Sequence, residues 1–360
     1  MANIASENGN SLNSKDCSLE REVSCSERLQ LNLTSDCPLK ERESQVKPAP
    51  LQVIYGDSTL GVKGFEFHYI FSYARGGLES LNKKGKEWMF RVPRPTFWRA
   101  TTCNDRGNGF SQKSAMWLGA DLFTKHVGGS VKINGKEIPL PIQPNNNHFS
   151  NEEFADTVEI TFVFETYTVP GTTVLVTYLV EGNGEITVTM NYHGHQDLPQ
   201  LPALGIRFIM PTVATGFEYE GLSGETYPDR MAGGIPGVYK VKGLPVTPYL
   251  VPQECGVHMD TKWVEITRNT TLSNADVDGE EFSLRFEKAN ESFAFSCLPY
   301  TASELENATH QEDLPPPRRT VLLMLAKVRG VGGIQAWGAD VEEEYHISGK
   351  EDVTFSFVIR

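Results

Sequence analysis

Four polar and aromatic segments interrupt an otherwise regular chain: FWRATTCNDRGNGF at 97–110, YEGLSGETYPDRMAG at 219–233, PYLVPQECG at 248–256 and RGVGGIQAWG at 329–338. Glycines there permit tight backbone while Trp, Asp, Glu and Arg side chains project, a pattern suited to recognition. Arg99, Asp105 and Arg106 are expected to form ion pairs that fix a loop, as are Asp229 and Arg230. Glu225 and Asp229 stand four residues apart, but in a loop sequence, so their spacing does not make a catalytic carboxylate pair. His193 and His195 alternate onto one face of a predicted strand. No third ligand candidate lies near them, and they read as surface histidines rather than a metal site. Trp88, Trp98, Trp117 and Trp263 read as core or interface.

The elements that must position these segments are strands. Val158, Ile160, Phe162 and Phe164 alternate with Glu159, Thr161, Val163 and Glu165, the period of a half-buried strand. Val174, Val176, Tyr178 and Val180 repeat the pattern, Glu181-Gly182-Asn183-Gly184 makes a tight turn, and Ile186, Val188, Met190 and Tyr192 return. Val353, Phe355, Phe357 and Ile359 alternate to the last residues. Helical signals are few: a short helix within Ser114–Lys125, and another after Thr301-Ala302-Ser303-Glu304, which has capping-box spacing. No glycine-rich phosphate loop follows a strand. The expected fold is all-β, one large antiparallel sandwich over residues 49–360.

Residues 1–48 are rich in Ser, Asn, Glu and Lys and lack periodicity, so they are expected to be a disordered leader. A net charge of −13 argues against nucleic acid and anionic membranes, and no apolar run is long enough to span a bilayer. The first thirty residues lack the basic start and apolar stretch of a secretory signal. Cys17, Cys25 and Cys37 fall in the polar leader, and no Cys-x-x-Cys pair exists. A reduced, cytoplasmic protein is expected.

Taken together and in order, FWRAT-x-NDRG, GLSGETYPDR and RGVGG-x-x-WG resemble the C-terminal domain of family 2 β-galactosidases. The resemblance runs from about Leu51 to Arg360 and is closest to the separate small subunit of lactobacilli-type heterodimeric enzymes. It implies a supersandwich, the galactose-mutarotase-like fold also used by aldose 1-epimerases. It implies as well that both catalytic glutamates lie on the (β/α)8 barrel of a large β-galactosidase subunit, so no catalytic residue is expected in this chain. The family's magnesium would belong to that partner too, with no cofactor here. The family's C-terminal glycine-rich loop brings a Trp to the galactoside pocket, and the matching residue is Trp337. An indole face packs on the C–H surface of a sugar and its N–H can donate. Trp337 stands between Ala336 and Gly338, outside any alternating run.

Two residues depart from the family pattern. Cys103 stands where relatives usually have Asp, and Cys255 where they usually have Asn, which puts the hydrogen bonds of two loops in question. Two other functions compete with an accessory subunit. A stand-alone aldose 1-epimerase would need a positioned base and acid, with His193, His195 or His258 as the acid. A carbohydrate-binding module would need neither.

Overall fold

The computed structural model describes residues 50–140, 153–277, 279–335 and 338–360; the expected leader and Trp337 lie outside them. The alternating segments become one antiparallel run. Strands Thr157–Glu165, Thr173–Glu181, Ile186–Tyr192 and Val353–Ile359 lie side by side. Register pairs Phe162 with Val176, Val176 with Met190 and Met190 with Phe355, so one apolar row crosses four strands. All four side chains are buried. A one-residue slip could put Thr161, Thr177, Thr189 or Thr354 in their place, which is why the register is unique.

This row is the middle of a ten-stranded antiparallel sheet. Over it packs a five-stranded sheet in the order Val257–Thr261, Phe293–Leu298, Thr320–Val328, Ala203–Met210, Arg91–Thr96. Phe208 meets Phe286 and Phe357 at ring distances of 5.3 and 6.0 Å, and Phe295 meets Phe217 at 5.7 Å. Such aromatic contacts add about 0.5–1.5 kcal/mol each beyond area burial. A six-stranded sheet from the N-terminal part of the described residues docks through Phe71, 5.5 Å from Tyr178. The all-β antiparallel architecture is thus as expected, built from three sheets. Trp88, Trp98 and Trp117 are core residues. Trp263 is half-buried, with the Arg285 guanidinium 3.9 Å over its ring.

The expected helices form at Met116–Phe123 and Ala302–Asn307. In the second, Glu304 N–H donates to the Thr301 hydroxyl at 3.2 Å, and Thr301 N–H donates back to the Glu304 carboxylate at 2.8 Å. The histidine expectation needs correction: the strand ends at Tyr192, so His193 and His195 lie beyond it. A Cβ on Gly194 would sit 2.3 Å from the Lys350 carbonyl, and that close approach turns the chain out of the sheet. Among the described residues each histidine faces one carboxylate, Asp352 at 3.7 Å and Asp197 at 3.8 Å.

Candidate functional site

Strand ends deliver the four segments to one place. Arg91–Thr96 runs into the first, Gly216–Leu222 into the second and Thr320–Val328 into the fourth, while the third leads into Val257–Thr261. All four line one cavity of about 430 Å³, with Asn104 from the first, Glu225 and Arg230 from the second, Gln253 and Glu254 from the third and Val331 from the fourth.

Buried charge holds the cluster together. The first segment, read from sequence as a loop, contains the helix Cys103–Asn108, capped by Thr102 through a reciprocal box with Asp105. Arg99 grips Asp105 through both terminal nitrogens at 2.7 and 3.2 Å and donates to the Gly330 carbonyl at 3.0 Å. Arg329 reaches the same carboxylate at 3.4 Å and lies 3.9 Å over the Phe110 ring. All three charged side chains are at most 2% exposed. The Arg99–Asp105 pair is as expected, and Arg329 is a third member that sequence spacing did not reveal. Arg106 departs from expectation: it donates to the Thr101 hydroxyl at 3.1 Å.

Asp229 and Arg230 also act differently from the expected pair. Their own separation is 3.9 Å, too long for a strong contact. The Asp229 carboxylate instead accepts the backbone N–H groups of Val331 and Gly332 at 3.0 and 2.9 Å. Arg230 donates to the Gly332 carbonyl, and Asn104 to that of Val331 at 3.1 Å. Beyond the next residues, Gly338 has φ of +77°, and a Cβ there would stand 2.9 Å from the backbone of Gly107. The glycine-rich loop is therefore fixed on both sides of Ala336 and Trp337.

The residue that sequence reasoning missed is Glu254. Complete burial pushes its carboxyl up to about 8, despite the pull of Arg99, and Glu225 adds to the rise. Tyr227, also buried, points its hydroxyl at this group from 3.5 Å. Burial alone would lower the Arg99 pKa, but Asp105 and Glu254 raise it. A neutral acid among Asn, Gln, Tyr and Arg is a lining suited to hydroxyl-bearing ligands. The available signal was a carboxylate in a proline-flanked, glycine-ended segment, which resembled any other turn.

The two cysteine departures separate here. Cys255 packs with Ala100, Leu298 and Tyr300, and burial pushes its thiol up to about 12. Cys103 is exposed at the cavity, with its backbone N–H donating to Gln253 at 3.1 Å. His258 does not serve the cavity. It is stacked on Phe295, hydrogen-bonded through Nδ1 to the Gly224 carbonyl, and pushed down by burial to about 4. None of the three histidines named for the epimerase reading, His193, His195 and His258, lines the cavity. Among the described residues no group of three or more His, Cys, Asp or Glu side chains could hold a metal ion. None of their helices is long and apolar enough to cross a membrane. A larger cavity of about 570 Å³ lies elsewhere and shares no lining residue with the four segments.

Fold and site together define an antiparallel all-β protein whose candidate pocket is assembled by loops on a rigid sandwich. Residues 63–359 match the family described as beta galactosidase small chain, and the chain belongs to that family. It is 58% identical over 309 residues to a beta-galactosidase small subunit of Latilactobacillus sakei, covering 86% of this chain and 97% of that one. It is 33% identical over 319 residues to a beta-galactosidase of Streptococcus thermophilus, covering 88% of this chain but only 28% of that longer protein. Among solved structures, a galactose mutarotase-like protein from Lactobacillus casei aligns with a TM-score of 0.39 and 11% identity, over 84% of this chain and 99% of that one.

Proposed function

We infer that the chain serves as the small subunit of a β-galactosidase, working with a larger partner that carries the acid/base and nucleophile carboxylates. The observation that carries this reading is the near end-to-end match to a relative named as a small subunit. The substrate is a terminal β-galactoside such as lactose, and magnesium, where the assembled enzyme uses it, is held by the partner. Free thiols at Cys103, Cys255 and Cys297 suit a reducing cytoplasm. Trp337 supplies one wall of the galactoside pocket. The reading is supported by the anchoring of its loop on either side, which is how a scaffold presents a side chain to a ligand.

The chain purified alone is expected not to hydrolyse o-nitrophenyl galactoside, and the chain assembled with its large subunit to do so. Turnover by the rigorously purified single chain would overturn the reading. In the assembled enzyme, Trp337→Ala should cost on the order of 1–3 kcal/mol of transition-state binding, roughly 5- to 150-fold in kcat/KM. Most of this should appear in KM, since ring stacking holds substrate as well as transition state. Trp337→Phe should recover part of the loss. A lowered melting temperature with unchanged KM would instead assign Trp337 to packing.

A further inference from the structure

Away from the loop cluster, two adjoining cavities of about 570 and 320 Å³ share Arg91, Leu122, Arg207 and Ile209 and so form one trough. Six of the sixteen arginines of the chain line it, and no lysine does. This is a concentrated positive surface on a chain of net charge −13. Three of the arginines are already matched: Arg207 with Asp121, Arg75 with Glu79 at 3.2 Å, and Arg318 with Glu304 at 3.8 Å. Arg91, Arg94 and Arg319 have no carboxylate partner among the described residues.

Arg94 and Arg319 are held in place by the fold, whereas Arg91 is exposed, 5.7 Å from the Phe90 ring. The Nη1 atom of Arg94 is buried with no hydrogen-bond partner, and its pKa is lowered by burial and by the neighbouring charges of Arg207 and Arg75. Arg319 lies flat on Phe90 at 3.9 Å, with Nη1 donating to the Pro211 and Arg318 carbonyls, each at 2.9 Å. A buried donor without an acceptor, such as Arg94 Nη1, is costly to leave unmatched, and a carboxylate is the group best suited to match it. Arginine's planar fork suits that role better than lysine's point charge.

The trough is not shaped for a small ion alone. Phe90 and Leu122 are 39% and 49% exposed along it, and Pro299, Pro315 and Pro316 continue the apolar surface. Aromatic and arginine side chains are both enriched at interfaces between proteins. A free anion would meet the guanidiniums and leave the apolar groups in water. The strand Arg91–Thr96 forms the edge of its sheet, and Pro93 and Pro95 remove two of its donors, so an added strand is disfavoured and side chains must hold the occupant.

We propose that this trough is the docking site for an extended acidic segment of the catalytic partner chain, whose carboxylates pair with Arg91, Arg94 and Arg319 and whose apolar side chains cover Phe90 and Leu122. The proposal rests on the small-subunit reading. Its test is sedimentation velocity on the full-length chain mixed with its large subunit. Arg91→Glu, at an exposed residue without a carboxylate partner among the described residues, should retain the melting temperature of the isolated chain within a few degrees. The double variant Arg91→Glu/Arg319→Glu is compared with Arg319→Gln alone, so that loss of the contacts Arg319 makes within the chain is separated from loss of docking. The double variant should weaken assembly by about 100-fold or more, and Arg91→Glu alone by about 10-fold, with a shallower salt dependence than the wild-type chain. Assembly of Arg91→Glu as tight as wild type overturns the proposal. So does stabilisation of the wild type by inorganic phosphate that the variants lose while assembly is unchanged, which would make the trough a small-anion site. Failure of the wild-type chain to assemble at all would instead overturn the small-subunit reading, and the docking proposal with it.

Discussion

In the middle of the ten-stranded sheet, Val188, Tyr178 and Phe357 are almost wholly inaccessible and touch other apolar groups. Around Asp105, Arg99 and Arg329 are equally inaccessible, yet every contact that orients them is a charge, a hydrogen bond or a ring face. The first region tolerates repacking, because apolar contacts are non-directional. The second does not, because a buried charge that loses its partner cannot return to water. Directional contacts also hold the backbone of Val331 and Gly332 against Asp229, so one region supplies mass and the other position.

Removing the shared carboxylate should break this comparison most severely. Asp105→Ala leaves two buried guanidiniums without their shared carboxylate and removes the reciprocal half of the capping box at the start of Cys103–Asn108, at a cost of about 3–5 kcal/mol. Phe357→Ala should cost a similar amount through its cavity. Their kinetics should differ: in assembled enzyme, Asp105→Ala raises KM, whereas Phe357→Ala lowers the melting temperature with KM unchanged. Equal effects on KM would show that the loop cluster is ordinary core.

Next in size is a pH effect at Glu254. Its carboxyl is neutral in the folded chain up to about pH 8, against an ordinary value of 4.5 that applies once unfolded. Folding therefore takes up a proton between those values, and this contribution to stability is present below pH 4.5 and lost as pH rises toward 8. Glu254→Gln removes the titration while keeping an acceptor. Its stability relative to wild type should improve by on the order of 1–3 kcal/mol between pH 5 and pH 8 in denaturant titrations. A difference independent of pH would mean that Glu254 is ionised.

The two cysteines sharpen the comparison at smaller scale. Cys255→Asn, the residue that the resemblance leads one to expect, places an amide among Ala100, Leu298 and Tyr300, so it should destabilise by about 1–2 kcal/mol in thermal melts. Cys103→Asp, at an exposed first helical position, should change stability by no more than about 0.5 kcal/mol, because a favourable helix start is opposed by a second carboxylate, Glu225, across the cavity. A large loss at Cys103 together with neutrality at Cys255 would reverse the assignment of which loop has adapted to its thiol.

The strands Thr157–Glu165, Thr173–Glu181, Ile186–Tyr192 and Val353–Ile359 were legible in the sequence because each carries its own period, and a sheet face reads that period directly. The Thr301 capping box was legible for the same reason, its partners being three residues apart. The four motif segments were visible as interruptions, and the resemblance they carry named the right family. What only the tertiary structure decided is who meets whom. Arg329 joins Asp105 across 224 residues, Asp229 holds Val331 and Gly332 rather than Arg230, and Glu254 loses its charge because the folded chain excludes water from it. Trough arginines from as far apart as Arg75 and Arg319 gather on one surface without forming any basic run in sequence. Local periodicity is a property of neighbours along the chain, whereas desolvation and charge pairing depend on distances that exist only once the sheets have packed.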